Sequence, residues 1–394
     1  MDARFSPELS AKAKAFLTES VVLSLALVHY GKLPFANFKN RSIRSMNAPM
    51  RVLMITSEWP TTESPNDVPF LVRQVSFLRR AGVEVDVFHF RGAKNPFRYV
   101  RAWREARQMP KRNRYDLIHA QFGQSALLAM PKCLPLLITI RGDDVEGIVA
   151  RKGRYTLAGY ILRLITRGVA NWADALIVVS PHMKRHFSHL TAHVIPSGLD
   201  LDLFRPMLLR KARQKLGLPL SKRLVLFVGN PDDPRKRFGL SQKAVAQLDP
   251  TLNAELILAW NVGHSDIPVF MNACDVLVFT SMHEGSPNVV KEALACNLPV
   301  VSVIVGDVPD RLNGVDGCVV CADDQPATIA AALTQVLRRH GRPASRIAVQ
   351  ELDERILTQR IIEIYQNIST NSSIANHVPA DVLEPIDSGT LTAR

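Results

Sequence analysis

The sequence predicts an α/β protein of two doubly wound, Rossmann-like domains facing each other across a cleft. Three observations predict it. A chain of 394 residues, 47% apolar and 22% charged, has room for two packed cores and lacks the composition of a disordered, collagenous or disulfide-built protein. From Arg51 onward, short apolar runs alternate with helix-length periodic segments, as buried parallel strands and their crossover helices require. A second series of the same kind begins at Arg223, after a polar, basic stretch at residues 206–221.

Residues 1–49 read as an N-terminal extension, an amphipathic helix followed by a basic segment at 39–46. The first domain, 50–206, opens with a strand at 52–56, a helix at 70–80 stopped by Gly82, and a strand at 83–88, which together make a βαβ unit. Apolar runs at 117–120, 136–140, 175–179 and 193–195 continue its sheet. The second domain, 207–368, has strands at 223–228, 254–259, 275–279, 300–304 and 317–320. Its helix at 324–339 starts on Asp323 and Asp324 and ends on Arg338 and Arg339, in keeping with the helix dipole. A last helix spans about 351–367 and either stays with this domain or returns to the first. From Ser369 the composition turns to Ser, Thr, Asn and Pro, so 369–394 is expected to be a disordered tail.

The net charge of +13 is concentrated in residues 1–200, which carry about +14. Such asymmetry suits a polyanionic partner, nucleic acid or an anionic membrane leaflet, or serves solubility alone. Between Arg91 and Arg114 nine bases face one acid, yet aromatics are sparse and no nucleic-acid motif accompanies them, so nucleic acid is not expected as a partner. The five cysteines are odd in number and lie mostly in apolar runs, which is reduced, intracellular usage. No segment has the length of apolar chain that a membrane span needs.

Arg98, Arg101 and Arg104 recur every three residues, with Phe97, Val100 and Trp103 beside them at the same spacing. On a helix this is either a membrane-contacting strip, with Trp103 against lipid and the arginines on its phosphates, or a helix with its aromatics inward and its arginines in water.

The most informative stretch starts at Glu284 and reads EGSPNVVKEALACNLPVV. It follows an apolar strand and passes through a glycine-containing turn into a helix, whose first amides can hold an anion. Glu284 lies in the loop and Glu292 inside the helix, where carboxylates can accept hydrogen bonds from sugar hydroxyls. The loop after the strand at 223–228 supplies Arg235, Lys236 and Arg237, cations of the kind a leaving diphosphate needs.

This stretch resembles glycosyltransferase family 4, whose hallmark is two glutamates separated by seven residues within E-G-x-P-x-x-x-x-E-A-x-A-C. The resemblance runs from about Arg51 to Asn367, and the stretch is similar to enzymes of teichuronic-acid and exopolysaccharide assembly. IPSGLDLDLF at 195–204 resembles the family's P-x-G-V-D-x-x-x-F element, and GDVPD at 306–310 its G-G-x-P-E turn. It implies the GT-B fold and a retaining hexosyl transfer from a nucleoside-diphosphate sugar, UDP- or GDP-linked. The expected acceptor is a glycan or polyprenyl-linked glycan of the cell envelope. The expected location is the cytoplasm, peripherally on the inner face of the membrane.

The resemblance gives Glu284 the donor-sugar hydroxyls and Glu292 the ribose. Main-chain amides around Gly285, Ser286, Pro287, Asn288 and Val289 hold sugar and phosphate, with Gly229 and Arg237 alongside. Lys236 matches the family's loop lysine, and Arg235 is expected to assist it, because Asn230 stands where the family has an arginine. On the acceptor side the resemblance points to Asp67, to His119 as a catalytic group, and to Arg141, which replaces the family's usual histidine. His119 reads equally as a satisfied core histidine. Asp200 and Asp202 formally match a D-x-D metal motif, but they sit in the 195–204 element, so no metal or other cofactor is expected. A nucleotide-sugar 2-epimerase of the same architecture is the alternative reaction.

Overall fold

Runs such as LLITI and RLVLFV have no polar face, so they are stable only when covered on both sides, and they form two all-parallel sheets. The computed structural model describes residues 48–62, 67–91, 96–146, 156–339 and 341–375. The first sheet contains β1 (Arg51–Thr56), β2 (Glu84–His89), β3 (Leu117–Gln121), β4 (Leu136–Ile140), β5 (Ala175–Val178) and β6 (Ala192–Val194), in the order β2-β1-β3-β4-β5-β6. The second contains β7 (Arg223–Val228), β8 (Ala254–Ala259), β9 (Val276–Phe279), β10 (Val300–Ser302) and β11 (Val319–Val320), in the order β11-β10-β9-β7-β8. The winding direction reverses between β1 and β3 in one lobe and between β7 and β9 in the other. Crevices at the carboxyl ends of the strands open at such reversals.

One face of the first sheet is covered by α1 (Pro69–Arg80) and by the last helix, α13 (Glu354–Ala375). Leu71, Val75 and Leu78 of α1 and Leu357, Ile361 and Tyr365 of α13 bury against Val52, Met54 and Leu117. The last helix thus belongs to the N-terminal core. It is helical through Ala375, which corrects the tail expected from Ser369; residues 376–394, and residues 1–47 of the extension expected at 1–49, lie outside the described residues.

The opposite face carries α2 (Pro96–Arg112), α3 (Gly123–Ala126) and α5 (Leu157–Ala170), with the short α4 (Gly142–Glu146) after β4. Ala102 and Ala106 are the buried face of α2. Trp103 is half-buried: its indole N–H donates to the Met130 carbonyl at 2.6 Å, and Arg107 stacks on its ring. A buried indole needs such an acceptor. Trp103 therefore faces the protein, which corrects the membrane contact expected of it, while Arg98, Arg101 and Arg104 face solvent and Arg101 pairs with Glu105 at 2.9 Å.

The chain crosses between lobes twice at one place. Residues 199–204, before the expected boundary, already bury Leu199, Leu201 and Phe204 in the C-terminal core. Leu199 pairs there with the segment leading into α13: its N–H donates to the Leu352 carbonyl at 2.7 Å, and its carbonyl accepts from Glu354 at 2.8 Å. Among the described residues no helix is long and apolar enough to cross a membrane.

Candidate active site

Because β7 and β9 are neighbours, the loops that follow them leave the sheet side by side. They are tied together: the Met282 N–H donates to the Arg235 carbonyl at 2.8 Å, and the Thr280 hydroxyl to the Lys236 carbonyl at 2.9 Å. Gly229 has a positive φ of 139°, and the Lys236 stem lies over it, at 3.7 Å from where a Cβ would be. This packing sends Lys236 across the crevice, where its Nζ donates to Glu284 Oε1 at 2.6 Å. The pair is charge-assisted and short, with side chains 26% and 22% exposed. Arg235 turns instead to Asp233, at 3.1 Å, and remains 45% exposed. Arg237 stands left-handed at the start of α8 (Phe238–Val245), and its guanidinium is committed to the Thr280 carbonyl and the Asp324 carboxylate. Of the three cations, Lys236 reaches Glu284.

The stretch from Glu284 is shaped by a turn beneath it. Gly306 has φ +52°, and a Cβ there would fall 2.5 Å from the Glu284 carbonyl oxygen and 2.6 Å from that of Gly285. Only glycine lets the two loops meet so closely. Asp307 N–H donates to the Gly285 carbonyl at 3.1 Å, and the Ser286 hydroxyl donates to Asp307 Oδ2 at 2.7 Å. After Pro287 the chain enters α10 (Asn288–Ala295), whose start has no side-chain cap, and the buried Asn288 Oδ1 has no hydrogen-bond partner among the described residues. The amides of Asn288, Val289 and the rest of that first turn have no partner within the helix, and a helix start of this kind can hold an anion.

Glu292 lies one turn further on and is buried at the seam of the lobes. His264, from the loop after β8, stands 3.2 Å from its Oε1, and Arg73 of α1 stands 4.0 Å away. Arg73 is itself buried, donating to Glu354 Oε2 at 3.2 Å and to the Gly198 carbonyl at 2.5 Å. Burial raises the Glu354 carboxyl above its ordinary value, against the pull of Arg73. Beside Glu292, Lys291 is 1% exposed and donates to the Ser197 carbonyl at 3.2 Å, and burial pulls its ammonium down to about 7.

From the N-terminal lobe, Arg141 follows β4. It donates to Ser197 Oγ at 2.7 Å and Gln121 Oε1 at 3.1 Å, stacks over Phe70 at 4.3 Å, and is lowered to about 10 by burial. The next residue, Gly142, touches the donor-side loop: a Cβ on Gly285 would be 3.3 Å from its Cα. Asp67 lines a separate cavity of about 440 Å³ beyond β1 and β2, with Glu58, Trp59, His89 and Arg91. His119 is in neither place. It is fully buried in β3, its Nδ1 2.6 Å from the Tyr365 hydroxyl and its Nε2 2.7 Å from that of Thr139, and burial lowers it to about 3. Its ring holds α13 on the sheet, which corrects the catalytic role expected of it.

Arg73, His264 and Lys291 were not singled out from the sequence. The available signal was a base beside Glu292 in a helix whose other interior residues are apolar, Lys291 in NVVKEALA. His264 carries none, because it meets Glu292 only through the fold. Asp200 accepts the Asp202 and Leu203 amides, both at 3.0 Å, and so serves a turn.

Comparison with known proteins bears on the family and the fold. The chain is 27% identical over 326 residues to TuaC, a teichuronic acid biosynthesis glycosyltransferase of Bacillus subtilis, covering 66% of this chain and 82% of that one. Its fold is similar to sucrose-phosphate synthase from Thermosynechococcus elongatus, with a TM-score of 0.67 at 17% identity over 82% of this chain and 100% of that one. Anabaena HepE, solved with UDP and glucose, gives a TM-score of 0.62 at 18% identity over 81% and 99%. Residues 47–203 match the family model for glycosyltransferase family 4, and residues 220–339 match that for glycosyl transferases group 1. With one model on each lobe and two parallel-sheet domains of the GT-B kind, the chain belongs to the family 4 glycosyltransferases, and the Lys236–Glu284 pair lies within its C-terminal lobe.

Proposed function

We propose that this enzyme moves a sugar from a UDP- or GDP-sugar to a glycan acceptor carried on a polyprenyl-type lipid, at the cytoplasmic face of the membrane, in building a cell-envelope or extracellular polysaccharide. The observation that carries the reading is the Lys236–Glu284 pair, 2.6 Å across the reversal point and beside the uncapped start of α10. The Anabaena protein solved with UDP and glucose supports the donor class, and the teichuronic acid relative supports the polymer setting.

In this reading the diphosphate rests on the α10 amides and Lys236, with Arg235 swinging from Asp233 to join them, and no metal ion is required. Glu284 releases Lys236 to the phosphate and accepts donor-sugar hydroxyls, while Glu292 accepts from the ribose. The bond between the anomeric carbon and the phosphate oxygen breaks, and its electrons leave with the nucleoside diphosphate. The acceptor oxygen bonds the same face of that carbon, so configuration is retained, and its proton passes to the departing phosphate. Lys236 favours this step because negative charge grows on the phosphate as the bond opens. Arg141 and Asp67 lie on the acceptor side.

The test is a panel of nucleotide sugars screened for the rise in melting temperature that a ligand of the folded state produces. A UDP- or GDP-sugar should raise it in the wild type and less in Lys236→Ala. If no nucleotide sugar raises it, the donor assignment is wrong.

A further inference from the structure

The N-terminal lobe has a solvent-facing strip that its own packing does not use. On α5, Thr166, Val169 and Ala170 bury toward the sheet, while Tyr160 and Leu164 are 58% and 52% exposed, and Trp172 just beyond the helix is 57% exposed. These residues recur every four positions, with Gly168 between, so they follow one side of the helix. Arg163 and Arg167 lie beside the strip, and among the described residues neither has an ion-pair partner. Residues 157–172 contain no acid. One exposed leucine is ordinary, but an apolar row edged with arginines is not.

The strip has a basic neighbour in the same layer. α2 and α5 flank α3: the Tyr99 hydroxyl of α2 donates to Gln124 of α3 at 3.4 Å, and Gly123 of α3 is packed directly on Thr166 of α5. The outer side of this layer therefore shows the apolar row of α5 and, across α3, Arg98, Arg101 and Arg104 of α2. The aromatic that would have made α2 an anchor by itself, Trp103, is hydrogen-bonded inward.

We propose that this layer docks on an anionic lipid bilayer, with Tyr160, Leu164 and Trp172 resting at the headgroup boundary and the arginines of α5 and α2 on lipid phosphates. An apolar helical face rimmed by cations is what such an interface selects. Charge complementarity chooses the occupant: a second copy placed on this face would bring the same arginines against each other, and an uncharged apolar partner would leave them unanswered. The inference rests on the reading of a lipid-linked acceptor for its setting, and it replaces Trp103 with α5 as the apolar anchor.

The full-length protein is sedimented at low salt with phosphatidylcholine vesicles, with and without phosphatidylglycerol. Wild type should bind only the anionic vesicles. Tyr160→Ser/Leu164→Ser/Trp172→Ser should lose roughly tenfold or more in partitioning, and Arg163→Glu/Arg167→Glu roughly 30-fold or more. The melting temperature and its rise with donor nucleotide are read on every variant; both should match wild type, since Tyr160, Leu164, Arg167 and Trp172 are exposed and the half-buried Arg163 has no ion-pair partner among the described residues. Undiminished binding by either variant would overturn the docking face. So would gel filtration showing a wild-type dimer that the triple variant dissolves, because a second copy would then own the strip. Loss of the nucleotide response with vesicle binding intact would count against the transferase reading and leave the docking face standing.

Discussion

Lys236 and Glu284 reach each other from loops that follow different strands, and the β7–β9 pairing sets the 2.6 Å between Nζ and Oε1. A diphosphate must draw the ammonium from this carboxylate, and the charge it meets is greatest once the sugar has begun to leave. Lys236→Ala should therefore lower kcat by about two to three orders of magnitude with a smaller change in KM. Steady-state transfer kinetics decide it, and near-normal kcat would remove Lys236 from the site.

Glu292 is expected to contact a part of the donor that does not change during transfer. Glu292→Gln should weaken nucleotide binding roughly tenfold, leaving kcat at saturating donor close to wild type. Calorimetric titration with the nucleoside diphosphate measures the first and saturation kinetics the second. An unchanged dissociation constant would leave Glu292 as a purely structural partner of Arg73 and His264.

Gly306 and Gly314 both have positive φ, +52° and +73°, but only Gly306 has backbone oxygens where a Cβ would go. Gly314→Ala should cost about 1 kcal/mol of left-handed strain and leave donor binding intact. Gly306→Ala should cost more, because the turn must shift away from Glu284 and Gly285, and it should abolish the nucleotide-induced rise in melting temperature. Equal behaviour of the two variants would argue against the close approach.

His119 is fully buried and neutral, with its folded value lowered to about 3 against an ordinary 6.5. The unfolded ring takes up a proton as pH falls through 6.5 while the folded ring does not, so the contribution is present above 6.5 and is lost between there and about 3. Its share of the loss approaches about 1.4 kcal/mol per pH unit. Denaturant melts of wild type and His119→Gln across that range should show a shallower acid slope in the variant. Parallel slopes would mean that the ring titrates in the folded protein.

Cationic side chains and helix amides are proposed to meet the charge of the leaving group. Transfer activity should then survive prolonged dialysis against EDTA with little loss. Complete loss restored by Mg²⁺ or Mn²⁺ would reassign that charge to a metal.

The strands were legible because a parallel sheet demands apolar residues on both faces, as in residues 136–140 and 223–228. The site was legible where it is local: Glu284 through Val289 form one loop and the start of its helix, and Lys236 lies in the loop after the adjacent strand. What escaped is made by contacts between distant segments. Arg73 meets Glu354 across 281 positions, and nothing in the sequence of α1 says that a long basic side chain will be buried there. In α2 the spacing of Phe97, Val100 and Trp103 suggested one apolar face, but the small Ala102 and Ala106 set the side that packs. At the C-terminus, polar composition concealed a helix that runs on to Ala375, carried by packing closer to its start.

The paired crossing at Leu199 and residues 352–354 limits how the enzyme can move. Two bodies joined by a single strand can swivel about any axis, but here two strands pass together, bonded to each other through both the N–H and the carbonyl of Leu199. Twisting one lobe against the other would shear those bonds, whereas bending across the pair keeps them. The cleft is thus built on a double-pinned crossing that resists twisting more than bending, and its lobes meet where Gly142 lies against Gly285.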